Sequence, residues 1–120
     1  RGYTPLLLAV AGLRIETARA ALELGANVEH RSREGNTALI IAASRSAPLV
    51  EILLSHGADP EARNDASNTA LMIAAHADCL PCVRSLLDAG AKPGRRNSQG
   101  KQARDLTTDP VVLKLLQDRG

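Results

Sequence analysis

Cys79 and Cys82 form a C-x-x-C pair, the spacing of half a zinc site or of a redox dithiol. A tetrahedral metal site needs four ligands. The chain has no second cysteine pair, His76 is the only histidine nearby, and Cys82 falls on an apolar stripe. The pair is therefore read as core or surface thiols without a metal, which points to a reducing compartment. Gly94 to Lys101 reads GRRNSQGK, but a phosphate-binding loop needs four residues between its glycines and Ser or Thr after its lysine. Here five residues intervene and Gln102 follows, so that reading is rejected. Ser44, His76 and Asp78 could be imagined as a nucleophilic set, yet no G-x-S-x-G context orders a nucleophile. His30, His56 and His76 are read as solvated loop or helix-end residues. No catalytic residue, cofactor, metal or small-molecule substrate is expected, and the chain is read as a non-enzyme.

The arginines are the more informative group. Lys and Arg total 15 against 13 Asp and Glu, a net charge of +2, which argues against wholesale binding to nucleic acid or membrane. Any electrostatic role must come from local clustering. No apolar run reaches the roughly 20 residues that span a bilayer, and the start lacks a basic-then-apolar signal pattern.

The elements that would position these residues are repeated. TPLLLAV from Thr4, TALIIAA from Thr37 and TALMIAA from Thr69 recur at spacings of 33 and 32 residues, and Gly25, Gly57 and Gly90, each followed by alanine, recur at 32 and 33. Two markers in phase describe a solenoid, in which each unit buries its apolar face against its neighbours. With one Tyr and no Phe or Trp, the core must be built from Leu, Ile, Val and Ala, which suits thin stacked helices.

Each unit is punctuated as helix, turn, helix, loop. Thr4, Thr37 and Thr69 are placed to cap short first helices of about seven to nine residues starting at Pro5, Ala38 and Ala70. Pro48, Pro81 and Pro110 sit near the starts of second helices, whose apolar residues recur at helical spacing, as in Leu49, Val50, Leu53 and Leu54. Gly25, Gly57 and Gly90 stop those helices. Polar stretches of roughly ten residues follow, with Ser32, Asn64 and Asn97 in the same phase, where a short polar side chain can hold a tight turn. They are read as projecting fingers.

This arrangement resembles the ankyrin repeat family over essentially the whole chain, through Thr4-Pro5-Leu6, Ala42-Ala43, Ala74-Ala75, Leu53-Leu54, Leu86-Leu87 and Gly57-Ala58-Asp59. The resemblance implies an all-α solenoid of helix-turn-helix units with β-turn fingers. Residues 1–120 are expected to form one domain of about three full repeats, at 1–31, 32–63 and 64–96, plus a shortened one at 97–120. The chain begins at Arg1 and is read as a piece of a longer protein. Three departures stand out. The family's histidine after the leucine is Leu7, Ile40 and Met72, which replaces a polar link between units by apolar packing. The second unit is one residue short between its helices. The last unit is cut down in the manner of a C-terminal cap.

Family members bind protein partners on the concave surface lined by fingers and first helices. That phase places Arg31, Arg33, Arg63, Arg95, Arg96 and Lys101 on the fingers, with Glu34 and Asp65 as the nearby acids, and adds Tyr3, Asn36, Ser44, Arg45, Asn68 and His76 to the groove. The finger arginines are either merely solvated or read an acidic or phosphorylated segment, since guanidinium forks pair with carboxylate and phosphate. Tyr3 is either a binding hot spot or a surface for a further repeat. The leading reading is a protein-binding scaffold, cytoplasmic or nuclear, with a protein or peptide partner. The alternatives are a docking or oligomerisation module acting through the apolar Leu6-Leu7-Leu8 end and, less favoured, a nucleic-acid binder, for which Tyr3 would be the only stacking platform.

Overall fold

The computed structural model describes residues 2–119, and those residues hold helices and turns without a strand. First helices α1 (Pro5–Ala11), α3 (Ala38–Ala42) and α5 (Ala70–His76) alternate with second helices α2 (Ile15–Glu23), α4 (Ala47–Ser55) and α6 (Leu80–Asp88). A 3-10 turn at Ala103–Leu106 and α7 (Pro110–Arg119) complete the chain. First helices pack on first helices and second on second, giving an array of 38 × 25 × 20 Å.

Local chemistry sets these boundaries. The hydroxyls of Thr4, Thr37 and Thr69 accept the amides of Leu7, Ile40 and Met72, satisfying donors that a helix start leaves unpaired. Gly25, Gly57 and Gly90 have φ of 93°, 88° and 93°, and the amides that follow turn back to carbonyls of the last helical turn. The one-residue deletion in the second unit also has a structural counterpart. Leu13 and Asp78, between the helices of units one and three, lie at φ 58° and 55°, whereas no residue with positive φ stands between α3 and α4. Helix α3 is shortened to five residues, below the expected length.

Leu7, Ile40 and Met72 are buried in the core, so apolar packing does occupy the phase of the missing histidines. The last unit keeps its second helix, with Asp109 Oδ1 accepting the amides of Val111 and Val112, and reduces its first to the 3-10 turn. One expectation is corrected: Cys79 and Cys82 are joined by a disulfide rather than present as free thiols. They are the N-cap and third residue of α6, two positions whose side chains meet over one helical turn. The support that free thiols lent to a reducing compartment goes with them.

Candidate partner-binding groove

Each finger is a tight turn closed by its own residues. Ser32, Asn64 and Asn97 donate their amides to the carbonyls of Asn36, Asn68 and Lys101, and Gly35, Ser67 and Gly100 turn the chain at φ of 79°, 62° and 76°. Asn64 Oδ1 accepts the amides of Ala66 and Asn68, and Asn97 Oδ1 those of Gln99 and Lys101, all at 2.9–3.0 Å. The turn-holding role expected for this phase is therefore met. Gly35 is required twice over, because a Cβ there would run into Asp65 of the next finger.

The same asparagines also join one unit to the next. Asn64 Nδ2 donates to Asn36 Oδ1, and Asn97 Nδ2 to Asn68 Oδ1, both at 2.9 Å. A second ladder runs beside them. Arg31 donates to the carbonyls of Gly35 and Arg63, Arg63 to those of Ser67 and Arg96, and Arg96 to that of Gly100. Arg45 reaches back from unit two to the carbonyl of Ala11 at 2.6 Å.

Between the fingers and the first helices lies an open groove. Its first section, of about 360 Å³, is lined by Tyr3, Asn36, Ser44, Arg45, Asn64, Ile41 and Ile73 among others. A second section, of about 170 Å³, shares Ile73 and continues past Asn68, Met72, His76, Asn97, Gln99 and Leu106. Of the twelve residues expected on this concave surface, Tyr3, Asn36, Ser44, Arg45, Asn68 and His76 line the two sections, whereas the finger residues Arg31, Arg33, Arg63, Arg95, Arg96 and Lys101 line neither. Sequence reasoning missed its apolar floor. Ile41 and Ile73 are half-buried and form this floor, in the same repeat phase as Leu8, which is 59% exposed and lies outside the groove. That recurrence was a signal, but it was indistinguishable from core until the helices were set in place.

A family model for ankyrin repeats (3 copies) matches residues 1–64 and 22–97. The chain belongs to the ankyrin repeat family. Ankyrin repeats are generally protein–protein interaction modules and are typically non-catalytic. No helix among the described residues is long and apolar enough to cross a membrane, and no group of three or more His, Cys, Asp or Glu there could hold a metal ion.

In this ankyrin array the finger charges are less free than their types suggest. Arg95 pairs with Glu61 at 3.1 Å, and Glu61 also accepts the amide of Lys92. Glu61 was absent from the charge balance drawn from the sequence. It sits at the finger base, as does Glu29, which accepts the amide of Asp59 at 2.7 Å. Arg31, Arg63 and Arg96 keep their charge, because a carbonyl does not neutralise a guanidinium, but their orientation is set by the fingers. Among the described residues, the exposed side chains of Arg33 and Lys101 have no hydrogen-bond or ion-pair partner. Glu34 is held below the ordinary carboxyl range by a hydrogen bond from its own main chain and then by the Ser32 hydroxyl, at 3.0 Å. Ser44 donates to the carbonyl of Ile41, and Asp78 accepts from Thr107 Oγ1 at 2.6 Å, so both are occupied within the framework.

Proposed function

We propose that this array is a non-catalytic scaffold that holds a partner protein segment in the concave groove, with acidic or phosphorylated side chains of the partner meeting the fingers. The observation that supports this reading is the pairing of an apolar floor, Ile41 and Ile73, with the side-chain amides of Asn36 and Asn64 and the Arg45 guanidinium, which the Ala11 carbonyl holds in place. An apolar floor anchors a side chain by burial, while oriented donors select its polar neighbours. Guanidinium groups already held in place lose little freedom on meeting an anion, so they favour carboxylate or phosphate over neutral groups.

The test is binding of this chain to an array of acidic and phosphorylated peptides at low and high ionic strength. Binding should weaken several-fold at high salt, and Arg33→Glu with Lys101→Glu should weaken it further without disturbing a finger. Ile73→Asp should abolish it by placing a charge in the floor. Binding indifferent to salt and to both charge reversals would overturn the acidic reading; binding indifferent to Ile73→Asp would overturn the groove.

A second reading, docking through the first unit, cannot use the expected Leu6-Leu7-Leu8 surface, because Leu6 and Leu7 are buried in the core, but it has another observation. Leu24 is 89% exposed beside Pro5 and Ala21, around an apolar hollow of about 400 Å³ at the first unit. Docking through this end, between copies or within a larger protein, would cover it. Light scattering on this chain and on Leu24→Glu separates a self-associating end from a monomeric one.

A further inference from the structure

Ser46 and Cys79 hold the same place in successive units, 33 residues apart, as do Leu49 and Cys82. In α4 the Ser46 hydroxyl accepts the amide of Leu49 at 3.2 Å, which ties the N-cap to the third helical residue. In α6 the same tie is covalent: Cys79 makes no side-chain cap hydrogen bond and is bonded to Cys82 instead. The two residues differ in burial. Cys82 is fully buried in the core, whereas Cys79 is partly open at its edge. Pro81, exposed between them as the second residue of α6, fixes the backbone of that first turn without removing an interior hydrogen bond.

We propose that Cys79–Cys82 is a reversible redox site, opened by a dithiol reductant that attacks Cys79. Attack on a disulfide requires a thiolate to approach one sulfur along the bond, and Cys79 is the residue of the pair that is not fully buried. The reductant's first thiolate bonds to Cys79 Sγ, the Cys79–Cys82 bond breaks, and Cys82 leaves as a thiolate that takes up a proton. Negative charge on the departing sulfur lies in the first turn of α6, where unpaired amides and the helix dipole favour it. The reductant's second thiolate then attacks its own sulfur in the mixed disulfide and releases Cys79, which takes up the second proton. Two electrons pass to the protein, and the reductant becomes its own disulfide.

The site is connected to the rest of the array by its neighbours. Asp78, immediately before Cys79, accepts the Thr107 hydroxyl and so joins this turn to the last unit, and His76, three residues before Cys79, lines the groove. Opening the bridge leaves α6 with no link from N-cap to third residue, where α4 keeps its hydrogen bond. The first turn of α6 and the Asp78–Thr107 contact beside it are thereby loosened together.

The test uses the folded chain in dithiothreitol redox buffers, with thiols trapped by alkylation and read by mass. The expected result is reversible gain and loss of two alkylation sites under native conditions, with faster hydrogen exchange at Leu80 to Val83 and around Thr107 in the reduced form. In single variants checked by circular dichroism, Cys79 in Cys82→Ser should react with an aromatic disulfide probe roughly ten-fold faster or more than Cys82 in Cys79→Ser. Reduction that occurs only in denaturant would overturn the proposal, as would a chain that stays a dithiol in oxidised buffer or equal rates for the two variants. The wild-type titration decides the matter if either variant fails to fold.

Discussion

The guanidinium of Arg63 donates to the main-chain carbonyl of Arg96, 33 residues further along the chain, at 2.7 Å, while the same nitrogen donates to Ser67 of its own finger at 3.0 Å. One side chain thus closes a finger and fixes its distance from the next. The contact makes arginine at this phase part of the framework before any partner arrives. It also explains why charge reversal at Arg63 would confound binding with folding.

Arg63→Ala is expected to lower stability by about 1–2 kcal/mol, since both bonds are charge-assisted but the released carbonyls can turn to water. Arg96→Ala removes only the bond to Gly100 and should cost about half as much. Equilibrium unfolding in urea measures both. A larger loss at Arg96 would contradict the ladder.

Asn64 accepts two amides of its own finger and donates to Asn36. Asn64→Ala should therefore cost about 2–3 kcal/mol, close to one per hydrogen bond. Asn64→Asp keeps both acceptor contacts, and Asn36 can turn its amide over to donate, so the expected cost is under about 1 kcal/mol. If aspartate proved as damaging as alanine in urea unfolding, the link between units, not the turn, would be the larger contribution.

Gly35 and Ser67 share one backbone conformation and should respond in opposite directions. Ser67→Gly relieves a left-handed residue of its Cβ and is expected to be neutral to about 1 kcal/mol stabilising. Gly35→Ser adds a Cβ against Asp65 and should cost about 1–3 kcal/mol. Thermal unfolding of the two variants side by side is sufficient; a stabilising Gly35→Ser would refute the close approach.

Glu34 has a folded pKa below its ordinary value of 4.5, so its contribution to stability is present above that value and is lost as pH falls through the folded pKa. Unfolding free energies of wild type and Glu34→Gln, compared from neutral to acid pH, should differ above that range and converge below it. A difference that grows on acidification would reverse the assignment.

The helix boundaries were legible in the residues because their causes are local. A threonine hydroxyl meets an amide three residues on, and a glycine accepts a positive φ, whatever the rest of the chain does. The groove was partly legible for a similar reason. Repeat phase assigned Tyr3, Asn36, Ser44, Arg45, Asn68 and His76 to one surface, and they line one groove. Ile41 and Ile73 were not legible, since an apolar residue beside the core looks the same in sequence whether or not its outer edge is open.

The sequence by itself determined the repeat, its period and the ends of its helices, all of which depend on contacts within a turn or two. Tertiary structure alone decided what the polar side chains do. Arg31 and Arg63 find their carbonyls, and Asn64 and Asn97 their amide partners, 28 to 33 residues away. Those pairings depend on how closely one unit stacks on the next, a distance set by the burial of leucine, isoleucine and alanine between them. The Cys79–Cys82 bridge lies at the boundary of the two cases. Spacing permitted it, but the helical turn that brings the N-cap against the third residue made the bond.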